Sequence, residues 1–406
     1  MFGFSKNKIL IDENEINEVL NRGIENIFPN PDFLKSKLMK REQISIYLGI
    51  DPTGDTLHLG HIIPLKRLGK LQKMGHQIIL LMGDFTAMIG DPTDKTAVRK
   101  KLTREQVLEN LKEYKKQASK FVSFEGSNPA LLKYNSEWLS KMSFGDVLEL
   151  TSLVTVDQML KRDMFARRSE EGKPIYIHEF LYTLMQGYDS VAMDVDGEIG
   201  GNDQTFNMLM GRDLMRVLKN KEKFVIATKL LIDSSGKKMG KTEGNMVALN
   251  QTPEDMFGRV MSWDDELITH GFELVTDVPT EEIKEIARKM NSGENPRDFK
   301  VKLAFEIVKM CHSEEKAEKA RANFEKTFAK GGIPEDVLVL NTTNNVSLAD
   351  ILIAENIISS KTEWRRLVQE GAVMEMVSNE KIVDQNVLSK EGVYKIGKRR
   401  FVKIVN

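Results

Sequence analysis

Two histidines, His58 and His61 in the tetrapeptide His58-Leu59-Gly60-His61, are the first residues whose spacing suggests chemistry. Three apart on one helical turn, both rings can face a single ligand. If a helix opens there, unpaired backbone N–H groups and roughly half a positive charge of helix dipole lie beside them. A polyphosphate suits such a place, and a helix cap or a chance pair is the bland alternative. The chain has six histidines in all, none of them offering a third ligand, so no metal site is expected. The stretch Gly236-Lys237-Lys238-Met239-Gly240-Lys241-Thr242 nearly spells a phosphate-binding P-loop. It has three residues between its glycines where that motif needs four, and Glu243 to Asn250 lacks the amphipathic helix that should follow. A mobile lysine-rich loop fits better. Lys95, Arg99, Lys100 and Lys101 could clamp phosphate or form a solvated basic face. Tyr182, Gln186 and Asp189 fall at i, i+4 and i+7, one polar stripe that either meets water or lines a pocket.

These groups need a scaffold. Ile44, Ile46 and Leu48 alternate with Ser45, Tyr47 and Gly49, the period of a strand. Ile62, Leu65, Leu68 and Leu71 then mark a helix that Gly75 can close, and Ile78 to Met82 reads as a strand buried on both faces. The unit is βαβ, and ligands of parallel sheets bind at strand carboxyl ends. Ile89-Gly90-Asp91-Pro92 should therefore lie near the histidines. A helix is expected from about Ile177, a short strand over Val195 to Ile199, the turn Gly200-Gly201-Asn202-Asp203-Gln204 after it, and a strand-like run over Phe224 to Ile232. Residues 1–43 read as helices leading into the sheet. Residues 104–170 read as mostly helical, with apolar Met142, Phe144, Val147, Leu148, Val154, Val156, Met159, Met164 and Phe165 in excess of what a peripheral helix pair needs. Part of that surface would suit a subunit interface.

At 406 residues, 41% apolar and 29% charged, the chain has the composition of an ordinary folded protein of two or three domains. A net charge of -1 excludes wholesale polyanion binding, so any nucleic-acid contact must come from a local patch. No segment is apolar enough to cross a membrane, Met1 to Leu10 has no signal-peptide core, and a cytoplasmic protein is expected. The single cysteine, Cys311, sits in a helical pattern as core filling. We expect an α/β fold with a Rossmann-like parallel-sheet domain over residues 1–250, including the helical insertion at about 104–170. An all-helical domain over 251–335 and a small α+β domain over 346–406 should follow. In the last, Ser347 to Asp350 and Ser360 to Glu363 resemble capping boxes, Gly371 closes a helix and Val373 onward alternates like strands. Its 10 Lys/Arg against 8 Asp/Glu bunch at Lys361, Arg365 and Arg366, then at Lys395, Lys398, Arg399, Arg400 and Lys403. Either a small RNA-binding module or a plain charged surface accounts for them.

Taken in order, His58 to His61, Gly200 to Gln204 and Lys238 to Thr242 give the chain a resemblance to the class I aminoacyl-tRNA synthetases. Tyr47-Leu48-Gly49-Ile50-Asp51-Pro52-Thr53, Ile89 to Pro92 and Tyr182 to Asp189 look like segments of the bacterial tyrosyl-tRNA synthetases within them. The resemblance spans nearly the whole chain and implies a ligase that activates tyrosine with ATP and transfers it to tRNA. It implies that Thr53, His58 and His61 receive the ATP, that Lys238 and Lys241 close on the leaving pyrophosphate, and that Lys95 and Arg99 assist. Asp51, Gly200 and Asp203 would serve the nucleotide, Asp203 at the ribose. Asp91, Tyr182 and Gln186 would hold the amino-acid ammonium, Gln204 would lie by the reacting carboxylate, and Tyr47 and Asp189 would grip the phenol. Gly240 and Thr242 stand where the commoner loop has serines. The implied partners are tRNA, tyrosine, ATP with Mg2+ and a second copy of the chain, with no tightly bound cofactor. The alternatives are a tryptophanyl enzyme, which would not need a phenol-directed Tyr47 and Asp189, a nucleotidyltransferase, and an RNA-binding scaffold without catalysis.

Overall fold

The computed structural model describes residues 8–90, 103–233, 236–240, 245–326, 337–341, 346–355, 357–376, 378, 380–397 and 400–405. Asp91, Lys95, Arg99, Lys241, Lys398 and Arg399, all expected at a site, lie outside them. By contact density the chain forms two compact units, one of residues 1–251 with 263–299, the other of 252–262 with 300–406.

The first unit is built on a six-stranded sheet of β1 (Ile24–Phe28), β2 (Ser45–Ile50), β3 (Gln77–Met82), β4 (Leu131–Tyr134), β5 (Gly197–Gly201) and β6 (Phe224–Thr228). Its order is β1-β6-β5-β2-β3-β4, parallel throughout except for β1 against β6. Every residue of β3 is buried, as its unbroken apolar run requires. The expected βαβ unit is present, with helix Leu59–Lys73 crossing from β2 to β3 and Gly75 in the left-handed region at its end. Ile62, Leu65, Leu68 and Leu71 are all buried. Helix Ile177–Met193 begins where the sequence placed it, and it packs on helix Thr205–Lys219. Tyr47, expected on the alternate face of its strand, is fully buried, because both faces of this sheet are covered.

Three features depart from the sequence pattern. β1 replaces part of an expected helical stretch; Glu25 and Asn26 are exposed on this edge strand, so its five residues carry too few buried apolar positions to announce a strand. Met159 and Phe165 are buried in the unit's interior, whereas Phe144, Leu148 and Val156 of the same segment are exposed. Helices Leu267–Val275 and Thr280–Asn291 belong with the sheet rather than with one helical block. The guanidinium of Arg22 donates to the carbonyls of Glu273, Phe272 and Thr276, each at 2.9 Å. Lys66 donates to Thr276 and pairs with Asp277 at 2.8 Å. The carbonyls at that helix end, which have no partner of their own, are thus tied to groups that enter from the sheet side.

The second unit holds helix Pro253–Met261, helix Glu314–Phe324 and a five-stranded sheet. Its strands β7 (Leu338–Asn341), β8 (Val373–Glu375), β9 (Glu380–Lys381), β10 (Gly392–Ile396) and β11 (Arg400–Val405) run in the order β7-β11-β10-β8-β9. Trp364, Leu348, Leu352, Ile396, Val402 and Ile404 form the core between this sheet and helices Leu348–Ala354 and Lys361–Gln369. Cys311 is buried.

Gly69, inside the histidine helix, meets the Phe121 carbonyl so closely that an added Cβ would lie 2.3 Å from that oxygen. Gly69→Ala should destabilise the protein by about 1–3 kcal/mol through overpacking. The urea midpoint checks this, and an unchanged midpoint would show that helix and turn can separate at no cost.

Candidate functional site

β2 and β5 lie side by side, yet the chain leaves them in opposite directions, toward β3 and toward β6. This is the switch point at which parallel sheets bind ligands. A cleft of about 1070 Å3 opens there. Tyr47, Asp51, Thr53, His58, His61, Tyr182, Gln186, Asp189, Gly200, Asp203, Gln204 and Lys238 all line it, so the described residues expected to act on nucleotide and amino acid share one cavity.

The histidine pair caps its helix and also lines the cleft. His58 is the N-cap of helix Leu59–Lys73, its Nδ1 accepting from the Gly60 N–H at 3.1 Å. His61 Nδ1 accepts from the His58 N–H at 3.2 Å. A Cβ at position 60 would come within 2.9 Å of the His58 ring, so glycine makes room for it. Burial, then the charge of Lys238, holds the His58 ring down at about 4. Burial pushes His61 well below the ordinary imidazole range, with His58 and Lys238 adding to it. Neutral rings whose Nδ1 atoms accept must carry their protons on Nε2. The result is a pair of N–H donors beside a helix N-terminus, able to receive anionic oxygen without themselves holding charge.

The lysine loop returns beside them. Leu59 N–H donates to the Val247 carbonyl at 3.0 Å, and Leu249 N–H donates to that of Leu57 at 2.9 Å. Lys238 pairs with Asp203 at 2.5 Å. Ile232 bridges to Lys238, and Asn245 ties Gly240 to Asp233. Asp203 follows β5 on the short turn Asn202–Gln204, and Gln204 accepts from Asn207 at 3.0 Å.

The polar stripe of helix Ile177–Met193 borders the deep end of the cleft. Tyr182 donates to Asp51 Oδ2 at 2.9 Å, and Asp51 Oδ1 accepts from Thr86 at 2.7 Å. Gln186 donates to Glu198 at 3.4 Å. Asp189 is buried and accepts from Trp138 Nε1 at 2.7 Å and from Asn135 Nδ2 at 3.4 Å. Burial holds its carboxyl well above the usual range, against those two hydrogen bonds. The Tyr47 hydroxyl, raised by burial and by the carboxylates of Glu198 and Asp189, lies 2.9 Å from Ser190 Oγ. A buried acid and a buried phenol at one end of a cleft form a socket for a hydroxyl-bearing group.

Sequence reasoning missed Asn135, Trp138, Thr86, Ser190, Glu198 and Lys223. One signal was legible, a glutamate inside the fully buried run Gly197–Gly200. Lys223, directly before an apolar strand, reads as a solvated end but has a side chain with no exposure. In the second unit, Arg365 and Arg366 are exposed on helix Lys361–Gln369, and Lys361 pairs with Asp350 at 2.9 Å. Arg400 is bound instead into the fold, donating to Glu363 at 2.9 Å and to the Ile357 carbonyl.

The family model for class I tRNA synthetases (W and Y) matches residues 39–329. A tyrosine–tRNA ligase of Carboxydothermus hydrogenoformans is 42% identical over 405 residues, covering 96% of this chain and 97% of that protein. One of Thermotoga maritima is 41% identical, over 95% and 96%. Among solved structures, a C-terminally truncated mitochondrial tyrosyl-tRNA synthetase of Coccidioides posadasii superposes with a TM-score of 0.62 at 26% identity, covering 76% of this chain and 91% of that one. An Archaeoglobus fulgidus tyrosyl-tRNA synthetase complexed with L-tyrosine, at 21% identity and a TM-score of 0.59 over 76% of this chain and 100% of that one, shares the fold.

The depressed basicities of His58, His61 and His76, the last also held by burial at about 4, have a stability consequence. The unfolded chain takes up these protons near the ordinary imidazole value and the folded chain does not. Stability should therefore be full above about pH 6.5 and fall as pH drops toward 4, by up to about 1.4 kcal/mol per pH unit for each ring. Urea unfolding across pH 7 to 4.5, with NMR of the ring protons, checks it. Rings titrating near 6.5 in the folded protein would contradict the neutral pair.

Proposed function

The chain belongs to the class I tRNA synthetases of the tryptophan and tyrosine kind, and on that footing we propose that it is a tyrosine–tRNA ligase. The observation that carries the tyrosine assignment is the buried Tyr47 and Asp189 pair at one end of a cleft that the two neutral imidazoles also line. The phenol would sit between them, and Tyr182, Gln186 and Asp91 would receive the ammonium. Gln204 would then lie beside the carboxylate. Thr53, His58, His61, Asp51 and Gly200 would meet ATP, with Asp203 at the ribose.

In the first step the tyrosine carboxylate, already an anion, attacks the α-phosphorus and pyrophosphate leaves. No general base is needed, so the rate rests on positioning and on charge stabilisation. The Nε2–H donors of His58 and His61 would serve the phosphate oxygens. Lys238, with Lys241, Lys95 and Arg99, would meet the charge that builds on the leaving group. Lys238 must first leave Asp203, which frees that carboxylate for a ribose hydroxyl. In the second step the terminal adenosine hydroxyl of tRNA attacks the acyl carbonyl and AMP departs. Among the described residues no group of three or more His, Cys, Asp or Glu is arranged to hold a metal ion, so we read Mg2+ as held by the phosphates of ATP. For tRNA we look to Arg365 and Arg366, with Lys361, Lys398 and Arg399; Arg400 would act mainly by fixing the shape of its module. No helix among the described residues is long and apolar enough to cross a membrane, and a cytoplasmic enzyme is our reading.

Tyrosine, and neither tryptophan nor phenylalanine, should drive exchange of labelled pyrophosphate into ATP. Asp189→Ala should lower kcat/KM for tyrosine about 10²-fold, through loss of the buried partner of the phenol, while KM for ATP stays within about twofold. Stimulation by tryptophan alone would overturn the function, and an Asp189→Ala enzyme with wild-type preference would overturn the role of that residue. The exposed Phe144, Leu148, Val156 and Ile177 support a homodimer, so light scattering at micromolar concentration should give twice the 46.2 kDa chain mass. A single-chain mass would remove the dimer.

A further inference from the structure

Behind the Tyr47 ring lies an ion pair that the chemistry above does not use. Lys223 and Glu198 are in contact, with side chains 0% and 3% exposed. Lys223 Nζ also donates to Ser190 Oγ at 2.7 Å, and Ser190, itself fully buried, lies 2.9 Å from the Tyr47 hydroxyl. The ammonium stands 5.5 Å from the centroid of the Tyr47 ring. Gly211 keeps this space open, since a Cβ there would come within 2.6 Å of Nζ and 2.7 Å of Oγ. Isolated buried ion pairs add little stability compared with apolar residues of the same shape. A structural role alone therefore gives a weak reason for one here.

The donors and acceptors fix a direction. An ammonium can only donate, so Ser190 Oγ accepts from Lys223 and becomes the stronger donor for it. Its hydrogen then goes to the Tyr47 oxygen, and the Tyr47 hydrogen needs another acceptor. Glu198 is the competitor, because it is the register partner of Tyr47 across β2 and β5. It is hydrogen-bonded to Tyr47, but Lys223 and Gln186 also donate to its two oxygens, which makes it the weaker acceptor and one from which a phenol oxygen can take that hydrogen.

We propose that Lys223 and Ser190 are positioning residues for phenol recognition, orienting the Tyr47 hydroxyl so that it donates to the oxygen of a phenolic substrate whose own hydrogen goes to Asp189. This rests on the tyrosine reading and extends it to two residues that do not touch substrate. The relay makes the socket selective for a group that both accepts and donates. An analogue without the hydroxyl forfeits both of these bonds in a buried place, which is costly.

Pyrophosphate exchange with tyrosine and with phenylalanine, on the full-length wild type, Ser190→Ala and the charge-balanced Lys223→Met/Glu198→Gln, tests the relay. Each variant should lower kcat/KM for tyrosine about tenfold, the effect of one misdirected hydrogen bond. Phenylalanine should change by less than about twofold, so the tyrosine preference narrows about tenfold while KM for ATP holds. Folding is checked by thermal melts, and if the paired variant does not fold, Ser190→Ala decides. Folded variants that keep the wild-type preference, or that lose both amino acids equally, would overturn the relay and leave tyrosine activation standing. A wild type without tyrosine-dependent exchange would overturn the tyrosine reading, and the relay with it.

Discussion

Two backbone N–H groups, those of His58 and Gly60, are bound to imidazole Nδ1 atoms, and the chemistry of the cleft depends on that pairing. It closes the start of a helix that would otherwise leave its first donors unsatisfied. The same bonds decide which ring nitrogen carries the proton, and burial decides that only one does. A structural act and a chemical one are therefore the same set of hydrogen bonds. The strap between Leu57–Leu59 and Val247–Leu249 then brings the lysine loop to the rings, where the positive charge of Lys238 adds to the burial that keeps them neutral.

The polar groups of the cleft are bonded to one another. Lys238 is held by Asp203, Asp51 by Tyr182 and Thr86, and Asp189 by Trp138 and Asn135. The bonds to Asp189 and Asp51 join rigid elements, and they fix shape before any ligand arrives. The Lys238 pair joins a loop to a turn across exposed surface, where an ion pair contributes little. On the reading proposed here, recognition of the amino acid would be preformed and closure on the nucleotide would be an exchange of partners.

The parts legible in the sequence were those with strong periodicity or with several polar groups in register. The β2–helix–β3 unit, helix Ile177–Met193 with its stripe, and the turn after β5 were readable because burial imposes a period and a ligand-facing stripe breaks it. β1 was not, since an edge strand has one neighbour and little buried face. Lys223 was hidden for the opposite reason. Its burial depends on Glu198, 25 residues away, and on the absence of a side chain at Gly211, neither of which leaves a local mark. Arg400 likewise reads as a free cation until Glu363 and the Ile357 carbonyl are found against it.

The attachment of helix Leu267–Val275 to Arg22 and Lys66 bears on how the chain is made. Arg67 bonds in turn to the carbonyl of Arg22, while two buried cations from the first seventy residues, Arg22 and Lys66, wait for carbonyls and a carboxylate more than two hundred positions later. During synthesis the sheet can pair its strands as soon as β6 emerges, but these cations stay without those partners until residue 277 has left the ribosome. A fragment cut after the last strand would carry the same deficit permanently, so the smallest autonomous piece of this enzyme is set by the far end of a helix and not by the edge of its sheet.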